Sequence, residues 1–199
     1  YGLARTTIRR RLVSGILAAG LSGLVGFGFV VQHSYVRAWE LQRALWTDVV
    51  RLCPDLGDGT VILVEPSGLE DPRFIDANHW NLPRVLEQIL VFPAEWQSPP
   101  RLFRLAPGWE ANLVTAQGRF QLDGSTVVAP PSLYQEVDSR QVIFLETVGG
   151  ALRRVGGEMV VNGTGYPIRD MPHAAQPGFA PGFLFPDLIR PAELESISP

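Results

Sequence analysis

Three histidines, His33, His79 and His173, are the side chains of this sequence best suited to ligate a metal or move a proton near neutral pH. If "DANHW" is helical, Asp76 and His79 share one face, and Asp170 and His173 repeat that spacing. Ligand pairs on separate segments do not define a metal site, so neither a metal nor a cofactor is expected. Glu70, Asp71 and Asp76 form an acidic cluster whose simplest reading is a solvated loop. The sequence contains no G-x-S-x-G elbow, no H-E-x-x-H pair and no G-x-x-x-x-G-K-[ST] loop. The recognisable routes to hydrolysis and phosphate binding are therefore missing, and no catalytic residue is assigned. Cys53, the lone cysteine, sits among Val49, Val50 and Leu52, where a small buried hydrophobe is expected rather than a reactive thiol. It also excludes an internal disulfide and a cysteine-rich metal knuckle. Asn162, Gly163 and Thr164 match the glycosylation pattern, although Gly163 suits a turn equally well.

With chemistry so sparse, the elements that carry these residues become the better guide. The chain has 199 residues, 46% of them hydrophobic and 19% charged, which suits one folded domain plus an anchor. Its net charge is −3, but four arginines and no acid fall in the first eleven residues. The remainder then holds 13 basic against 20 acidic side chains, a balance that disfavours nucleic acid as a partner. All 17 basic residues are arginine, from which no function follows. The chain opens on Tyr1, so processing or further upstream residues are expected.

The segment Leu12 to Gln32 contains 21 uncharged residues. As a helix it would reach about 31 Å, the thickness of the hydrocarbon layer. A signal peptide has a shorter apolar core and a small-residue cleavage site, and none follows here. A single transmembrane helix is expected. Arg9, Arg10 and Arg11 cluster before the span, and Arg37, Arg43 and Arg51 are spread out after it. The tight cluster places the N-terminus in the cytoplasm and the bulk of the chain outside, with Tyr35 and Trp39 at the outer interface. Within the span, Gly15, Ala19 and Gly23 form one four-residue series, and Ala18, Ser22 and Gly26 form another. Such small-residue seams let a second helix approach closely in lipid.

Beyond the span, Trp39, Trp46, Val49, Val50 and Cys53 recur at helical spacing opposite Arg37, Glu40, Arg43, Thr47 and Arg51. An amphipathic helix ending at Pro54 is predicted, followed by the turn "DLGDGT" and a central strand, Val61 to Val64. Asn81 can cap a helix with Leu82, Val85, Leu86, Ile89 and Leu90 on one stripe. Later, "RFQLDGSTVV" predicts a two-residue hairpin at Asp123 and Gly124. "QVIFLET", "ALRRV" and "EMVVN", split by glycine pairs, predict a three-stranded meander.

The fold class is thus one transmembrane helix followed by a mixed α/β extracytoplasmic domain with antiparallel strands in its second half. The organisation is a basic cytoplasmic arm over 1–11, the span over 12–32, the α/β domain over 33–165 and a proline-rich irregular tail over 166–199. Seven of the chain's 17 prolines lie in that tail. Phe179, Phe183, Leu184 and Phe185 make it too apolar for a solvated linker, so it covers its own domain or touches a partner or membrane.

The run from Trp46 through "RLCPDLGDGTVILVE", after a hydrophobic span, resembles the entry into the C-terminal extracytoplasmic region of bacterial polytopic glycosyltransferase-like membrane proteins. The resemblance covers Leu12 to Glu65 and carries no catalytic residue with it. It implies the bacterial inner (cytoplasmic) membrane. The first expectation for function is a membrane-anchored accessory or structural subunit of a larger complex, with other transmembrane subunits and the bilayer as partners. Alternatives are the C-terminal part of such a glycosyltransferase-like enzyme, or an extracytoplasmic ligand-binding domain.

Overall fold

The computed structural model describes residues 2–65, 82–149, 151–172 and 179–190, with side chains from residue 13 onward. The chain divides into two units, Tyr1–Glu40 and Leu41–Pro199. One helix, α1 (Gly2–Leu52), runs without a break through the end of the first and the start of the second. No proline interrupts the sequence before Pro54, so nothing removes a hydrogen bond from the helix ladder until the turn that ends it.

In the first unit, the span expected over Leu12 to Gln32 is helical, and the expected basic arm is helical from Gly2 as well. Its apolar side chains point outward. Ile16, Leu17, Leu21, Leu24, Phe27 and Phe29 are all exposed. The helix carries an 18-residue window of mean hydropathy 1.9, none of it buried, and is long and apolar enough to cross a membrane.

The second unit is a mixed α/β domain built on a five-stranded sheet. Its middle strand is β1 (Val61–Val64), an uninterrupted apolar run in which every residue is buried. The sheet has the order β5-β3-β1-β7-β8, where β3 is Arg101–Leu105, β5 is Val127–Val128, β7 is Val142–Val148 and β8 is Ala151–Val155. β3 and β7 flank β1 in parallel, and β5 and β8 close the two edges antiparallel. Helix α2 (Leu82–Ile89) follows β1 as the apolar patterning predicts, although Leu90, expected on its stripe, already belongs to the next strand; the parallel strand β3 that comes after is not marked by that patterning. Asn81, its expected cap, lies outside the described residues.

Because side chains alternate across a strand, the sheet feeds two cores. Ile62, Val64, Leu102, Ile143 and Leu145 join Leu45, Trp46 and Val49 of α1 and Leu86 and Ile89 of α2. On the other face, Val61, Leu63, Phe103, Leu105 and Val142 pack under a layer of short strands. Those strands are β4 (Phe120–Leu122) paired with β6 (Gln135–Val137), and β9 (Glu158–Val161) paired with β10 (Thr164–Pro167). In α1, Trp46 and Val49 are buried and Val50 is half-buried, as expected, but Trp39 stays exposed, and Thr47, expected on the polar face, is buried and accepts a hydrogen bond from the Arg190 amide at 3.1 Å.

Two expectations about pairing fail. Asp123 and Gly124 do form a turn, with the Val127 amide donating to the Asp123 carbonyl at 2.8 Å, but β4 and β5 do not pair with each other. A two-residue hairpin of this composition needs positive φ at both central positions, and neither residue has it. Gly124 instead lies close to another segment: a Cβ on it would stand 2.7 Å from the Tyr134 hydroxyl, so a larger residue there would displace that side chain. The meander also stops after its first hairpin. β7 and β8 pair, but beyond Gly157 the chain leaves the sheet, and β9 pairs with β10 across Asn162 and Gly163. Those two residues have φ of 51° and 77°, the left-handed pair of a tight hairpin turn. Leaving the sheet lets Met159 and Val161 cover the second core, which would otherwise face water.

The tail is less irregular than its prolines suggest. β10 runs across residue 165, where the α/β domain was expected to end. Further on, β11 (Ala180–Pro181) pairs with β2 (Leu90–Val91), and α3 (Phe185–Leu188) buries Leu188, with Ile189 buried just after it.

Candidate functional site

The C-terminus of a helix leaves its last carbonyls without intrahelical donors. At the end of α1 the Leu52 carbonyl accepts a hydrogen bond at 3.1 Å from Nη1 of Arg154, a residue of β8 about a hundred positions away. The same guanidinium forks onto Asp55, with Nη1 to Oδ1 at 2.5 Å and Nη2 to Oδ2 at 2.9 Å. Nη2 also donates to the Asp170 carbonyl at 2.5 Å. Arg169 adds a second cation, its Nε 3.1 Å from Asp55 Oδ2, and its Nη1 donates to Thr60 Oγ1 at 2.7 Å. Thr60 in turn accepts from the Gly57 amide. The cluster therefore ties the last turn of α1, the turn from Asp55 to Thr60, strand β8 and the segment after β10 into one joint.

The chemistry of this joint is structural. The Arg154 side chain is fully buried, and four bonds occupy its Nη atoms, leaving only Nε without a partner. Burial works against an ionised Asp55, but the hydrogen bonds and charge of Arg154, with help from Arg169, outweigh it and hold the carboxyl below its ordinary value. A carboxylate so held is a poor proton acceptor and a good anchor. Cys53, beside it, is buried, and burial pushes its thiol up to about 12 despite the opposing charge of Arg154. It behaves as the small hydrophobe the sequence suggests.

The other residues singled out by sequence fall into separate places. Gly15, Ala18, Ala19, Ser22, Gly23 and Gly26 lie on the exposed part of α1, and nothing approaches within 4 Å of where a Cβ on any of the three glycines would stand. Phe179, Leu184 and Phe185 pack against the first core, whereas Phe183 is 81% exposed. Phe179 also meets Phe92 and Trp96 edge-on, with ring centroids 5.1 and 5.6 Å apart. His33 is exposed on α1, and Asp170 uses its carboxylate on the Met171 amide. The Asn162 side-chain amide donates to the Glu110 carbonyl. Glu70, Asp71, Asp76, His79 and His173 lie outside the described residues. Among the described residues no group of three or more His, Cys, Asp or Glu could hold a metal ion.

No protein-family model, curated protein or solved structure matches this chain. Function must therefore be argued from the helix and the joint. The sequence pattern does not define the joint, but it carries one signal of it. In "ALRRV" alternation puts Leu152 and Arg154 on the same face, so either the leucine faces water together with the arginine or the arginine is buried together with the leucine and has to find an anion.

Proposed function

We propose that this chain is a membrane-anchored accessory or structural subunit of a larger membrane complex. In this reading the apolar part of α1 crosses the bacterial inner membrane once, with Arg9 to Arg11 on the cytoplasmic side and the α/β domain outside. The observation that carries the reading is the division of labour along α1. Its side chains from Val13 to Val36 are exposed or half-exposed and largely apolar, while Leu45, Trp46 and Val49 are built into the domain core and Leu52 into the arginine joint. An apolar helix that leaves so much surface uncovered calls for lipid or other helices around it. The small-residue seams favour a helix partner, and the saturated joint favours an anchor over a catalyst.

Carbonate extraction tests the first half of the proposal: the chain stays in the membrane pellet, and release of intact protein into the supernatant sinks it. Protease added to intact spheroplasts tests the second: the α/β domain is digested, and protection until lysis reverses the topology. Purification in mild detergent then identifies the co-migrating subunits that the proposal requires.

A further inference from the structure

At the amino edge of the five-stranded sheet, where β1 and β3 begin, a cleft of about 140 Å³ opens between the sheet and β6. Its polar lining comes from Thr60, Ser98, Arg101, Gln135, Glu136 and Gln141. Alternation explains why the arginine is there: Arg101 shares a face of β3 with the buried Phe103 and Leu105, and so stands at the margin of the second core. Gln135 likewise shares the inner face of β6 with Val137.

The two carboxylates near this cleft each have a partner outside it. Glu136 is 3.9 Å from Arg119. Asp58, at the rim, accepts from the Ser98 and Gln97 amides at 2.7 and 3.2 Å. The half-buried Arg101 side chain has no hydrogen bond or ion pair among the described residues, and its Nε is buried without a partner. A buried guanidinium donor left unmade is costly, and the guanidinium fork matches the oxygens of a carboxylate or phosphate. The cleft has the liquid volume of only four or five waters, roughly, far below a drug-sized pocket. It suits one small oxyanion group and not an extended molecule.

We propose that this cleft binds an oxyanion group, a carboxylate or a phosphate, through Arg101, with the amides of Gln135 and Gln141 and the Ser98 hydroxyl as supporting donors. The inference stands on the cleft alone and does not depend on the membrane assignment. The test uses the whole chain in a nonionic detergent and follows arginine modification by phenylglyoxal, residue by residue, with peptide mass spectrometry. Inorganic phosphate, acetate or phosphatidylglycerol in mixed micelles is added at constant ionic strength. Arg101 modification should slow at least tenfold, saturably, in one or more arms, with half-protection below about 10 mM. Modification of the exposed Arg153 should not change. The arm that protects distinguishes a soluble phosphate, a carboxylate and a lipid headgroup. Equal slowing of Arg101 and Arg153, or no slowing in any arm, overturns the proposal. Because the wild-type chain is used, the result does not depend on a variant folding. As a second readout, Arg101→Gln should lose the thermal stabilisation conferred by the protecting anion, and full retention of that stabilisation overturns the proposal as well.

Discussion

Arg154 and Asp55 form the kind of pair whose value depends on what is left behind when one partner goes. Truncating the arginine leaves a buried carboxylate with Arg169 as its remaining cation, and also orphans the carbonyls of Leu52 and Asp170. Arg154→Met should therefore destabilise the domain by about 3–5 kcal/mol in urea denaturation. The double change Asp55→Leu with Arg154→Met should lose less than the sum of the two single changes, because no buried carboxylate then remains. The same pair sets a pH dependence. The folded-state carboxyl titrates below its ordinary value of 3.8, so its contribution is fully present above that pH. It disappears as the pH falls further through the lowered value. Stability measured against pH should show the gap between wild type and Asp55→Asn closing on acidification below about 3.8, and a constant gap would assign the stabilisation elsewhere.

At the scale of elements, one short strand and one helix make separable claims. Gly182 follows β11 and donates its amide to the Ile89 carbonyl at 2.7 Å. A Cβ there would lie 2.6 Å from the Gln88 carbonyl oxygen, which is backbone and cannot swing aside. Gly182→Ala should push β11 off β2, cost about 1–3 kcal/mol and speed proteolysis within 179–190. Cleavage at the wild-type rate would show that the tail docks without that contact. On α1, the four-residue seams make a different prediction. Gly23→Leu places a large side chain where backbones would approach, so co-purification of a partner should weaken while membrane insertion persists. Unchanged assembly with leucine substitutions in both seams would transfer the partner surface from the helix to the exposed Phe183 of the tail.

For the whole molecule, the boundary between the two units makes a prediction that the sequence pattern alone does not. The core of the α/β domain takes Leu45, Trp46 and Val49 from α1, so the helix past residue 40 belongs to the domain it enters. A chain beginning at Leu41 should unfold as one cooperative transition, whereas one beginning at Cys53 loses those side chains and should fail to fold. Near-ultraviolet circular dichroism and urea titration distinguish the outcomes, and a folded chain from Cys53 would contradict the core described above.

What the residues determine alone is local and periodic. Twenty-one uncharged positions make a long apolar helix, four consecutive buried-type residues make the central strand, and the stripe from Leu82 to Ile89 makes the helix beside it. Each depends on a pattern within one segment, which is why each is legible. Partnership is another matter. Which strand β4 or β9 joins depends on which core face needs covering, and the approach of Tyr134 to Gly124 depends on a segment ten residues away. The joint of Asp55, Arg154 and Arg169, and the unmatched Arg101 at the sheet edge, exist only because distant segments meet in space. Long-range pairing is fixed by burial summed over the whole fold, and no window of sequence contains that sum.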